Sequence, residues 1–131
     1  MILADTTFLI DLQRSSRSER HRAAARWLEK HAEVEIVLSV IVLGEFAEGF
    51  EDSGHPVIEH FRSAHRVIAV DEKVAMIYAR LSRMLRMKGT PIGSNDNWIA
   101  ATALAFQLPL LTRNGGHFKR VKGLQIELYE D

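Results

Sequence analysis

The feature that most limits the folds open to this chain is a repeated alternation. Five short, mostly apolar runs stand at 2–5 ("ILAD"), 34–39 ("VEIVLS"), 66–70 ("RVIAV"), 108–112 ("LPLLT") and 124–129 ("LQIELY"). Between them lie stretches whose apolar residues recur at helical spacing. Strands that are apolar on both sides and joined through helices build a sheet buried on both faces, and such a sheet is parallel. The expectation is an α/β fold, a mostly parallel central sheet of about five short strands with helices on both faces.

Local signals place the helices. Thr6 or Thr7 caps a helix carrying Phe8, Leu9 and Leu12, and Glu19 to His31 forms a second with Ala24, Trp27 and Leu28 inward. Ser39 caps "VIVLGEFAEGF", with Val42, Leu43, Phe46 and Phe50 on one side, and Pro56 opens "VIEHFRSAH". Asp71 caps a long helix with Val74, Ile77, Tyr78, Leu81, Met84 and Leu85 as its stripe. Ser94 to Phe106 is apolar on nearly all sides and therefore interior, and "RNGGHFKRVKG" reads as a connection. No repeat, linker or low-complexity segment divides the chain, so residues 1–131 read as one domain.

Of the 131 residues 47% are apolar, enough for a proper core. The 17 basic and 17 acidic side chains cancel, so any surface for nucleic acid must be local. The absence of cysteine excludes a disulfide framework and a thiolate zinc site. The first ten residues lack the basic region and small-residue cleavage site of a signal peptide, and no apolar stretch approaches a membrane span. A soluble, cytoplasmic domain is expected.

Within "MILADTTFLID" an aspartate, Asp5, closes a run that is otherwise a buried strand. A carboxylate there is costly to desolvate unless a cation or hydrogen bonds accept it. In an open parallel sheet the ligand crevice lies at the carboxyl ends of the strands. Two more acids belong to that edge: Glu45, on the helix after the second strand, and Asp96, in the first turn of the interior helix. Each has an ordinary alternative. Asp5 could cap a helix, Glu45 could share a solvated face with Glu48 and Asp52, and Asp96 could complement a helix dipole. Together they would repel one another without a cation. All-oxygen ligation points to magnesium, with manganese as the second choice, because zinc would recruit histidine or cysteine and no histidine pair shows the i, i+4 spacing of a zinc helix. Carboxylate-held magnesium with open positions suits phosphoryl transfer.

Four segments, "ILADTTFLID", "LSVIVLGEFAEG", "PIGSNDNWIAATAL" and "LPLLTRNGGHFKRVKGLQIE", resemble the four blocks of PIN-domain ribonucleases, and most of all the VapC-type toxins of toxin–antitoxin pairs. The resemblance spans nearly the whole chain, in order and at the right spacing. It implies a single PIN domain that cuts RNA with magnesium or manganese, inhibits translation, and is held by a cognate antitoxin, with homodimers common. It places Asp5 and Asp96 as metal ligands and Glu45 as ligand or base. The family's fourth acid often lies where this chain has Asn114, an amide that can orient a water or weakly ligate but carries no charge. Val42 stands where a threonine is frequent.

The expected reaction is in-line attack of a metal-bound water on an RNA phosphodiester, leaving a 5′-phosphate and a 3′-hydroxyl. Thr6 and Thr112 could orient a carboxylate or phosphate, or serve only as turn and cap. Arg80, Arg83, Arg86 and Lys88, and then Arg113, Lys119, Arg120 and Lys122, could carry RNA at the active edge or be plain solvated faces. His117 and Phe118 could stack on a base, and Trp27, Phe46 and Phe50 could line an antitoxin groove or the core. Two other readings compete: a catalytically weak PIN domain that only binds RNA or protein, and a receiver-like regulatory domain with Asp71 as acceptor. The receiver reading lacks a lysine at the last strand.

Overall fold

Each of the five apolar runs becomes a strand, and all the pairings are parallel. The computed structural model describes residues 1–130. In chain order it contains β1 (Ile2–Ala4), α1 (Thr6–Gln13), α2 (Glu19–Lys30), β2 (Ile36–Ser39), α3 (Val40–Glu48) and α4 (Pro56–Ala64). It continues with β3 (Arg66–Ile68), α5 (Glu72–Met87), α6 (Ser94–Phe106), β4 (Leu110–Thr112), α7 (Gly115–Phe118) and β5 (Ile126–Leu128). The sheet order is β3-β2-β1-β4-β5. β1 is central, with Leu3 in register with Val37 on one side and Leu110 on the other. From β1 the chain first builds the sheet outward through β2 and β3, then returns to add β4 on β1's other edge. The β1/β4 boundary is thus the point where the winding reverses, and it opens a crevice at the carboxyl ends of those two strands.

Local capping explains where several helices start. Asp5, rather than a threonine, caps α1, its carboxylate accepting from the Phe8 N–H at 3.0 Å. Ser39 and Asp71 cap α3 and α5 in the same way, at 3.1 and 2.9 Å. Pro56 sits at the first turn of α4. The long α5 ends in paired closing bonds, Gly89 N–H to Arg86 O and Thr90 N–H to Leu85 O, for which Gly89 takes a φ of +72°. The chain then reverses into α6, and α5 packs along it with Tyr78 stacked on Trp98.

The core is continuous across both faces of the sheet. Phe8 meets Trp27 and Tyr129 edge to face, and Phe46 does the same with Phe50 and Phe61. The second helix ends at Lys30, with His31 as its cap residue. The segment read as a plain connection contains α7, a single turn. Gly115 and Gly116 are poor helix formers, and the turn forms because Asn114 caps it and buried Phe118 anchors it. No helix among the described residues is long and apolar enough to cross a membrane.

Candidate active site

The acids expected at the crevice come from three elements. Asp5 follows β1 directly and is 4% exposed. Its Oδ1 caps α1, and its Oδ2 accepts from the hydroxyl of Thr112 at the end of β4. Glu45 lies on α3 and accepts from the Thr6 hydroxyl on one oxygen and from Asn95 Nδ2, at 2.8 Å, on the other. Asp96, in the first turn of α6, has its Oδ2 at 3.2 Å from His117 Nδ1.

None of those donors is a lysine or arginine, and the electrostatics show it. Burial raises the Asp5 pKa to about 6 against bonds from Thr112 and Phe8 that favour the ion, and the charges of Asp96 and Asp11 push it further the same way. Asp96 is also raised, first by burial, with Glu45 adding repulsion and His117 opposing it. The first turn of α6 holds a further unsatisfied group, the buried Asn97, whose Oδ1 has no partner among the described residues.

The three acids are therefore coupled in a row, Asp5 to Asp96 to Glu45. Among the described residues, however, no three His, Cys, Asp or Glu side chains lie close enough to hold one metal ion between them. The physical reason is that like charges separate and each settles on its own hydrogen-bond donors, Glu45 on Thr6 and Asn95, Asp96 on His117. The donor set is hard oxygen left uncompensated, which fits a magnesium-class ion that keeps several waters and takes only one or two carboxylates. It does not fit a closed protein cage.

The fourth segment is arranged otherwise than expected. Asn114 does not reach the acids. Its Oδ1 accepts from the His117 N–H at 3.4 Å as the α7 cap, and its own N–H donates to Thr112 Oγ1 at 2.9 Å. Thr112 thus makes a turn and holds Asp5 at once. Arg113 is held in an ion-pair network: its guanidinium lies 3.2 Å from Asp11 and 3.7 Å from Glu130, so its charge is already matched. Phe118 is core, as are Trp27 and Phe46, while Phe50 is half-buried.

The remaining expected cations are exposed. Arg83 and Arg86 are exposed in the last turns of α5, at the end that leads into α6 and Asp96, with Arg80 a turn behind. Exposed Lys119 lines an open cleft of about 690 Å³ together with Thr7, Arg20, Arg113 and Asn114. Arg20 and Asn95 escaped sequence reasoning, each a polar residue in a polar stretch with no local pattern to mark it.

The sequence profile described as the PIN domain matches residues 2–124, with Asp5, Glu45, Asp96 and the β4–α7 segment inside the match. The chain belongs to the PIN-domain family. Among its relatives is Ribonuclease VapC19 of Mycobacterium tuberculosis, 35% identical over 125 residues that cover 95% of this PIN domain and 98% of the relative. Toxin FitB of Neisseria gonorrhoeae is 30% identical over 131 aligned residues, covering 90% and 91%. Among solved structures, VapBC-1 from nontypeable Haemophilus influenzae superposes with a TM-score of 0.82 at 28% identity, covering 100% of both chains. The receiver reading is overturned by this membership.

Proposed function

We propose that this PIN domain is a VapC-type endoribonuclease, the toxin of a toxin–antitoxin pair, that cuts RNA phosphodiester bonds with magnesium or manganese and so inhibits translation. One observation carries the reading: Asp5 and Asp96 are buried or half-buried carboxylates at the winding-reversal crevice, both raised first by burial and then by a neighbouring acid, and neither has a lysine or arginine against it. Relatives named ribonuclease and toxin support the same activity.

Asp5 and Asp96 would hold the ion, with Glu45 beside Asp96 as further ligand or base. The bound ion supplies a water of lowered pKa and neutralises charge on the reacting phosphate. The chain's own groups do the rest. Thr112 and the α1 amide fix both oxygens of Asp5, and Thr6 with Asn95 fix both oxygens of Glu45, so neither carboxylate must reorganise when substrate arrives. Lys119 and Arg20 on one flank and Arg83 and Arg86 on the other give the phosphate backbone of RNA a local basic track despite zero net charge.

The antitoxin fits a shallow groove of about 230 Å³ between α1 and α3, lined by Ile10, Arg14, Arg17, Glu45 and Phe50 among others. A partner segment bearing an apolar anchor and an acid would fill it and cover Glu45. The reading is tested by incubating single-stranded RNA with the protein and magnesium or manganese. Cleavage leaving 5′-phosphates, lost on chelation and in Asp5→Asn and Asp96→Asn, is expected; full activity in Asp5→Asn would sink it.

A further inference from the structure

The β4–α7 segment touches both principal acids, and only one of its side chains does so from α7. Thr112 donates to Asp5, its hydroxyl accepts the Asn114 N–H, Asn114 accepts the His117 N–H, and the His117 ring meets Asp96. Asp5 and Glu45 each have two hydrogen-bond donors. Asp96 has one side-chain donor among the described residues, His117. A carboxylate only accepts, so the His117 Nδ1 carries the proton and its Nε2 does not in the neutral ring.

We infer that His117 is the positioning residue for Asp96, holding that carboxylate against the repulsion of its acidic neighbours, and that Asn114 serves it only as the strut that fixes its backbone. The inference rests on the reading of the rim as a cation site. Without the imidazole, Asp96 is repelled from both neighbours and is 29% exposed on its side chain, so it is free to turn to solvent. A cation arriving at the rim must then re-order that side chain, and binding weakens. Partners that orient ligating groups in this way typically contribute about 10–100-fold to metal affinity.

The test uses the full chain and manganese alone, with free ion followed by electron paramagnetic resonance and folding of each variant checked by thermal unfolding without metal. His117→Leu keeps bulk and removes the donor. His117→Asn puts an amide N–H close to the place of Nδ1, whereas His117→Gln carries its amide out toward the place of Nε2. Affinity should fall about 10–100-fold in His117→Leu and His117→Gln and stay near the parent in His117→Asn, with unfolding temperatures unchanged. Unchanged affinity in His117→Leu overturns the inference, and so does a His117→Asn variant as weak as His117→Leu, since the ring would then act through Nε2 rather than through Asp96. Asp96→Asn separates the two levels. If it abolishes tight manganese binding while His117→Leu does not, only the positioning role fails. If binding survives Asp96→Asn, the cation reading fails and takes the inference with it.

Discussion

Asp5 and Asp11 lie in the same apolar segment, one capping α1 and the other within it, and both are buried, at 4% and 0% exposure. Their surroundings differ. Asp11 is matched: Tyr129 donates its hydroxyl at 2.7 Å, His21 Nδ1 lies at 2.8 Å, and Arg113 supplies a full positive charge at 3.2 Å. Asp5 receives one hydroxyl and one amide N–H, both neutral, and faces the charges of Asp96 and of Asp11 itself. Burial of an acid is therefore no sign of function by itself. The buried acid whose charge the fold leaves unanswered is the one to suspect. Asp11 joins α2, the residue after β4 and the chain after β5 through one side chain, and Tyr129 has its pKa raised there, chiefly by burial and then by the bond to Asp11.

The largest effect should come from breaking the matched acid. Asp11→Ala leaves the Arg113 guanidinium, 19% exposed, without its main partner, and should lower stability by about 3–5 kcal/mol in urea titration. A loss under about 1 kcal/mol would mean that the two acids do not differ as described.

The unmatched acid should behave in the opposite sense. Its folded-state pKa of about 6 lies above the ordinary 3.8, so the folded protein holds that proton more tightly. Stability then falls as pH rises from about 4 to about 6 and stays lower above that, with a ceiling of about 3 kcal/mol at roughly 1.4 kcal/mol per pKa unit. Asp5→Asn keeps the cap and removes the charge. It should gain about 1–3 kcal/mol at pH 8, little at pH 4, and lose cleavage. A variant less stable than the parent at pH 8 would contradict the electrostatics.

A divalent ion should supply the missing charge. Manganese at a hundred times its dissociation constant should stabilise the parent by about 2.7 kcal/mol in thermal unfolding, and Asp5→Asn much less. Thr112→Val removes the hydroxyl on Asp5 and should cost about 1 kcal/mol at neutral pH, while raising the Asp5 pKa further. The smallest effects lie at the flanks. Lys119→Gln or Arg20→Gln should each flatten the salt dependence of single-strand RNA binding by about 0.7 in log–log slope, leaving unfolding unchanged. Arg113→Gln should lower stability instead, because that charge belongs to Asp11.

Much of the fold was legible in the residues. Strand runs, the caps Ser39 and Asp71, the opening Pro56 and the interior α6 are signals confined to a few neighbours, and each appears where expected. Asp5, Glu45 and Asp96 were likewise visible, because a carboxylate in an apolar frame is conspicuous. The same logic applied to Asp11 would have found a second buried acid but not its role. α7 was hidden because glycines argue against a helix that Asn114 and Phe118 nonetheless hold.

What the sequence determined by itself was periodicity, capping and the placing of acids at strand ends, since these depend on interactions within a turn or two. Only the tertiary structure decided which charges are answered. Thr112 reaches Asp5 across 107 positions, Tyr129 reaches Asp11 across 118, and Asn95 reaches Glu45 across 50. The first follows from β4 being laid beside β1 when the winding reverses, the others from the packing of further elements around the sheet. No local propensity records which side chains that placement brings together.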